Sequence, residues 1–114
     1  MKIPKPSDAD KAYFRSLVPD DPRVVAKPMF GNIAAFVNGN MFMGLFGSRV
    51  GLRLGESDRR RLRAVPGTDD FGPVGRPMKE YVSIPESWRE APASAEEWVD
   101  LAIDHVASMP PKKK

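Results

Sequence analysis

The sequence predicts an α+β fold of two layers, in which helices pack on one face of an antiparallel sheet. Short apolar segments separated by glycine turns fill residues 24–54, a pattern typical of strands joined by hairpins. Apolar residues at helical spacing occur before and after this block. The expected order is a helix, three or four strands, a helix, one or two strands and a helix, with the second sheet face left open.

Composition indicates one small domain. The 114 residues include no cysteine, which excludes disulfides, thiolate metal sites and a cysteine nucleophile. No apolar run suits a signal peptide or a membrane span, so we expect a cytoplasmic protein with no membrane partner. Residues 1–114 are predicted to form a single domain, with an N-terminal arm at 1–6 and a disordered basic tail at 110–114.

The first helix is predicted from a capping residue and an apolar face. The Ser7 hydroxyl can accept a hydrogen bond from an amide near Asp10, which would cap the helix. Apolar residues within 13–18 then lie on one side of that helix. Pro22 ends it, because the residue before a proline is displaced from the α region.

The strands within residues 24–54 are predicted from the turn residues between them and from the alternation of their side chains. A first strand is predicted at Val24–Met29, and Pro28 within it indicates an edge position or a bulge. Asn38-Gly39 supplies the two positive-φ positions of a type I′ turn and therefore predicts a hairpin. In the next strand, residues 49–54 alternate between apolar side chains and arginine or glycine. One side of the sheet should face the core, and the other should face water or a partner.

The second half of the chain predicts a short helix, a strand and a longer helix. Glu56–Ala64 is acidic at its start and rich in arginine at its end, as the helix dipole favours. A last strand is predicted at Met78–Ile84, directly before Pro85. A capping box that begins at Ser94 predicts the final helix, whose apolar residues repeat at three- and four-residue intervals.

No set of residues indicates catalysis or a metal site. His105 is the only histidine, and Asp100 and Asp104 do not lie three or four residues from it, as ligands on one helix must. Neither a nucleophile elbow nor a phosphate-binding loop is present. The aspartate pairs at 20–21 and 69–70 are explained by turns. We therefore predict a protein that is not an enzyme and that binds no cofactor.

The outward side of the sheet is the first candidate site. Its predicted contact residues are Arg49, Arg53, Lys79 and Tyr81. Gly44 and Gly51 on the same strands would let another surface approach closely. Because a sheet with one uncovered face favours association, this surface predicts a protein partner or a homodimer.

A basic segment provides the alternative. Residues 49–63 contain six arginines against two acidic residues. The arginines on the predicted helix are candidate nucleic-acid contacts: Arg59, Arg60, Arg61 and Arg63. Arginine can hold phosphates through two parallel hydrogen bonds. No helix-turn-helix spacing is present and the aromatic residues resemble core residues, so a nucleic-acid partner is possible but a protein partner is favoured.

A series of short motifs runs through about residues 24–108. They are Met29-Phe30-Gly31, Asn38-Gly39, Met41-Phe42, Arg49 through Leu54, Phe71, Gly75-Arg76-Pro77-Met78, Tyr81 and Pro85. In this order they resemble the N-terminal domain of the TfoX/Sxy competence-regulator family. The motif residues for which we expect a structural role are Met29, Phe30, Gly31, Gly39, Gly75, Pro77, Met78 and Pro85.

The resemblance implies an α+β fold in the order helix, three strands, helix, two strands, helix, with an antiparallel sheet. It also implies a bacterial, cytoplasmic regulator of transcription, linked to competence genes, that works beside a DNA-bound activator rather than as an enzyme. The second, helical domain of the full competence regulators is not found in these 114 residues, so we expect a stand-alone N-terminal domain. The expected partner is a protein, with a transcription regulator and a second copy as candidates.

Overall fold

The computed structural model describes residues 4–29, 31–73 and 75–111. Its elements are α1 (Asp8–Leu17), β1 (Val24–Met29), β2 (Asn32–Val37), β3 (Asn40–Phe46), β4 (Arg49–Arg53), α2 (Glu56–Arg63), β5 (Tyr81–Ser83) and α3 (Glu96–Ala107). Two 3₁₀ turns, Glu86–Glu90 and Pro92–Ala95, connect β5 to α3. The α+β class is therefore confirmed.

The five strands form one antiparallel sheet in chain order, β1-β2-β3-β4-β5. Four strands precede α2 and one follows it, whereas the resemblance implies three and two. The last strand is also shorter than predicted, because Lys79 and Glu80 form a turn and the strand begins at Tyr81. Asp69 adds only an isolated bridge to Ser83 beyond it.

Local signals place the Asn38-Gly39 hairpin and the start of the first helix as predicted, but α1 ends at Leu17, before its predicted end at Pro22. Asn38 and Gly39 have φ angles of 53° and 80°, so both occupy the left-handed region that a type I′ turn requires. Pro28 lies in β1, which is an edge strand. At the start of α1 the Asp10 amide donates to the Ser7 hydroxyl at 3.0 Å, which confirms the cap.

The predicted capping box at Ser94 is wrong. The helix α3 begins at Glu96, and no side chain caps it. Pro92 opens a 3₁₀ turn in which the Ser94 amide donates to the Ala91 carbonyl oxygen at 2.9 Å. Because Ser94 lies inside this turn, it does not take the cap position in front of a helix.

The core lies between the helices and one face of the sheet. The strands contribute Ile33, Ala35, Val37, Phe42, Met43, Leu45, Val50, Leu52 and Val82 to it. The helices contribute Phe14, Leu17, Leu62, Trp98, Val99, Ala102, Ile103 and Val106. All these side chains form a single buried cluster, so the three helices cover the same face of the sheet, as predicted.

The opposite face is not open over its whole width, which corrects the prediction. Residues 69–73, which we name the Phe71 segment, place the Phe71 ring on the backbone of Gly44 and Gly51. A Cβ atom on Gly51 would lie only 2.3 Å from the Phe71 Cγ atom. The Phe71 ring stacks on Tyr81 with a centroid distance of 5.8 Å and meets Phe46 edge-on. The close approach that Gly44 and Gly51 allow is therefore taken up by an aromatic ring of the same chain.

The substitution Gly51→Ala tests this contact. The new methyl group would overlap the Phe71 ring, so we expect the free energy of unfolding in urea to fall by about 1–3 kcal/mol. In a Phe71→Ala background the same change should be neutral or stabilising, because alanine loses less backbone entropy than glycine on folding. An equal loss in both backgrounds would contradict the proposed overlap.

Candidate functional site

The predicted interaction residues do not form one accessible patch. Tyr81 lies under the Phe71 ring with 7% of its surface exposed, and its hydroxyl donates to the Met41 carbonyl oxygen at 3.2 Å. Burial raises the pKa of the Tyr81 hydroxyl. Lys79 is exposed, but it lies in the turn before β5 and not on a strand. A partner could therefore contact Lys79 without reaching Tyr81.

The two strand arginines of this candidate surface are held in ion pairs. The Arg49 Nη1 atom lies 2.7 Å from the Asp69 carboxylate, and the Arg53 Nε atom lies 2.9 Å from the Glu80 carboxylate. The hydrogen bond from Arg49 lowers the pKa of Asp69, and that from Arg53 lowers the pKa of Glu80. Both positive charges are thus matched within the chain.

The arginines of helix α2 are also held by groups of the same chain. Three of its arginines pair with carboxylates, as Arg60–Glu56 at 2.7 Å, Arg61–Asp58 at 2.9 Å and Arg63–Asp70 at 3.1 Å. Arg59 instead donates to the Leu54 carbonyl oxygen at 2.7 Å. The six arginines of residues 49–63 and their five carboxylate partners leave a net charge of +1. Within this basic segment, little net positive charge remains for a polyanion.

Apolar side chains on β1, β2 and β3 form a surface that the sequence reading did not single out. The large hydrophobic residues most exposed in the described chain are Val25, at 56%, and Met29, at 40%. Val25 pairs with Phe36, and Phe36 pairs in turn with Met41. We name Val25, Met29, Phe36 and Met41 the β1 strip. In the sequence, the adjacent apolar residues Val24 and Val25 break the alternation of apolar and polar side chains, and this was the feature that could have indicated an exposed apolar surface on β1.

A groove of about 270 Å³ adjoins the β1 strip. It lies between the strip and the Phe71 segment, and its walls include Met29, Met41, Met78, Phe46 and Phe71. Methionine side chains are flexible and polarizable, so three of them give the groove walls that can adapt to different apolar groups.

Residues 14–106 match the model of the TfoX N-terminal domain. The chain belongs to the TfoX N-terminal domain family. The match spans all five strands, the β1 strip and the Phe71 segment. A search of curated proteins gives no significant match.

In this TfoX N-terminal domain the motif residues divide between turns and the groove. Gly31, Gly39 and Gly75 have φ angles of 81°, 80° and 85°, which only glycine adopts readily. Met29 and Met78 line the groove, so the motif also shapes the candidate site. The remaining members are Pro77, which is exposed, Pro85, which is buried against Gly67, and Phe30, which lies outside the described residues.

The N-terminal arm of the TfoX N-terminal domain is attached to the sheet at Pro4. Asn32 is 6% exposed, and its amide group donates to the Pro4 carbonyl oxygen at 3.2 Å. The Gly47 amide donates to the Asn32 side-chain oxygen at 3.0 Å. Asn32 therefore joins the arm to the turn between β3 and β4. Residues 1–3 of the predicted arm and 112–114 of the predicted tail lie outside the described residues.

A polar cluster around Arg89 serves the scaffold of the domain. Arg89 pairs with Asp10, lies 4.9 Å from the centroid of the Tyr13 ring and donates to the Ser48 carbonyl oxygen at 3.3 Å. A hydrogen bond from the Ser7 amide, followed by one from Arg89, lowers the pKa of Asp10. These contacts connect α1, the turn after β3 and the first 3₁₀ turn.

Residues 4–29, 31–73 and 75–111 contain neither a membrane-spanning helix nor a cluster of metal ligands. No helix in these ranges has the length and apolar character needed to cross a bilayer. In the same ranges, no three histidine or acidic side chains come together as metal ligands.

A DNA titration tests the alternative partner. Because carboxylates match five of the six arginines, we expect the anisotropy of a labelled duplex to stay flat at low salt. The control is the double variant Arg59→Glu/Arg61→Glu, which should behave like the unmodified chain. Saturable binding that weakens steeply with salt and disappears in this variant would contradict the expectation.

Proposed function

We propose that this chain is a non-catalytic regulatory domain that binds a protein partner in the cytoplasm and thereby acts on transcription. The observation that carries the proposal is the β1 strip, which leaves Val25 and Met29 exposed beside an apolar groove. Contiguous apolar surface on a small soluble domain commonly marks an interaction site. The chain's own Phe71 segment covers the backbone of Gly44 and Gly51 on this sheet face and leaves Val25 and Met29 exposed.

The lining of the groove supports binding without catalysis. Among the described residues that form its walls, none has an ionisable side chain. Acid–base or nucleophilic catalysis requires titratable groups that converge on a substrate. Two arginines of the neighbouring strand β4, Arg49 and Arg53, are held by carboxylates. An apolar wall of this kind suits the recognition of an apolar side chain.

Family membership supports the regulatory part of the proposal. The chain carries the domain found at the N-terminus of competence regulators, so a bacterial regulator of transcription is the partner that we propose. This role requires no contact between the domain and DNA, in agreement with the paired state of the arginines in residues 49–63.

Complementation of a deletion strain tests the proposal. The gene is deleted in the native host and restored as the unmodified sequence, Val25→Glu or Arg60→Glu, and transcripts are sequenced. Both substitutions put glutamate at an exposed position, but only Val25→Glu lies in the β1 strip. At equal protein levels we expect the unmodified chain and Arg60→Glu to restore the transcript pattern, and Val25→Glu to fail. A deletion without effect on transcripts, or full restoration by Val25→Glu, would contradict the proposal.

A further inference from the structure

The β1 strip has the dimensions of one α-helix. From β1 to β3 there are two strand spacings, about 10 Å, and an α-helix with its side chains is about 10–12 Å across. The Phe71 segment bounds the strip on one side and the outer edge of β1 bounds it on the other. The six residues of β1 extend for about 20 Å, which equals about 13 residues of helix.

The sheet edges disfavour a partner that adds a strand. At the β1 edge, Pro28 has no amide hydrogen and Lys27 is charged, and both residue types discourage strand pairing. At the other edge, the chain already pairs with β5, because the Asp69 amide donates to the Ser83 carbonyl oxygen at 3.2 Å and the Ser83 amide donates to the Asp69 carbonyl oxygen at 2.8 Å. A partner therefore contacts the face of the sheet.

The positive charge of Lys27 indicates which partner side chains would bind favourably on this face of the sheet. Lys27 is the charged residue of β1, β2 and β3, and its Nζ atom lies 4.7 Å from the centroid of the Phe36 ring. No carboxylate of the described residues forms an ion pair with it. Lys27 lies between Val25 and Met29 on the same side of β1, so an acidic side chain on a partner would pair with it within the strip. Two copies that met through this face about a two-fold axis would instead bring two like charges together.

We propose that the β1 strip binds an amphipathic helix of another protein, whose apolar side enters the groove and whose acidic flank pairs with Lys27. This inference rests on the proposed function and specifies the partner. One large apolar side chain of the helix occupies the groove between the strip and the Phe71 segment. The methionines that line the groove adjust to its shape.

A pair of synthetic helical peptides tests the inference on the full chain. Both carry leucine at helical spacing over about 14 residues, and the flanking residues are glutamate in one and lysine in the other. In fluorescence anisotropy we expect the acidic peptide to bind saturably, and the basic peptide to bind about threefold more weakly, as for an exposed ion pair. Val25→Glu should weaken binding of the acidic peptide about tenfold, whereas the matched control Arg60→Glu should leave this affinity unchanged.

Charge reversal provides the decisive comparison. Lys27→Glu should reverse the preference, so that the basic peptide binds about threefold more tightly than the acidic one. A preference that Lys27→Glu does not change would overturn the inference, as would the absence of peptide binding. A dimer in sedimentation that Val25→Glu dissociates would assign the strip to a second copy and would also overturn it.

The two proposals can fail separately. If neither peptide binds but Val25→Glu still fails to restore transcripts, the proposal of a helical partner is wrong and the proposed regulatory function stands. If the acidic peptide binds with the expected preference but the deletion leaves transcripts unchanged, the binding surface stands and the regulatory function is wrong.

Discussion

The contact between the Phe71 ring and the backbone of Gly44 and Gly51 is the constraint on which the rest of this face depends. Because neither glycine has a Cβ atom, an aromatic ring can lie directly on β3 and β4. The ring buries Tyr81 and fixes the Phe71 segment over one half of the sheet. The half nearer to β1 stays uncovered and keeps Val25 exposed. One packing contact thus divides the sheet face into a structural part and a candidate binding part.

The same folded-back segment explains why the basic run is a weak candidate for nucleic-acid binding. It brings Asp69 to Arg49 and Asp70 to Arg63, across 20 and seven residues of sequence. These exposed pairs add little stability, but they neutralise charge where a phosphate would have to bind. The position of the Phe71 segment therefore sets the ion pairs of Arg49 and Arg63 as well as the location of the apolar strip.

Features that depend on local backbone preference could be predicted from the sequence. The positive φ angles at Asn38-Gly39 and the edge position of Pro28 follow from steric rules within a few residues. The placement of Phe71 could not be predicted, because an aromatic residue in a loop gives no indication of which strand it will cover. Likewise, the carboxylate partners Asp69, Asp70 and Glu80 lie outside the basic run that suggested nucleic-acid binding. The β1 strip left one local trace, the adjacent valines at 24 and 25.

Methionine oxidation in living cells tests most directly whether a partner covers the β1 strip. Met29 is 40% exposed in the strip, whereas Met43 is fully buried and Met109 lies beyond α3, away from this face. With the purified chain and mild peroxide, mass spectrometry should show rapid oxidation of Met29 and slow oxidation of Met43. In the native host, Met29 should be protected relative to the purified chain, and Met109 should be oxidised equally in both. Equal oxidation of Met29 in the cell and in the purified chain would contradict the account.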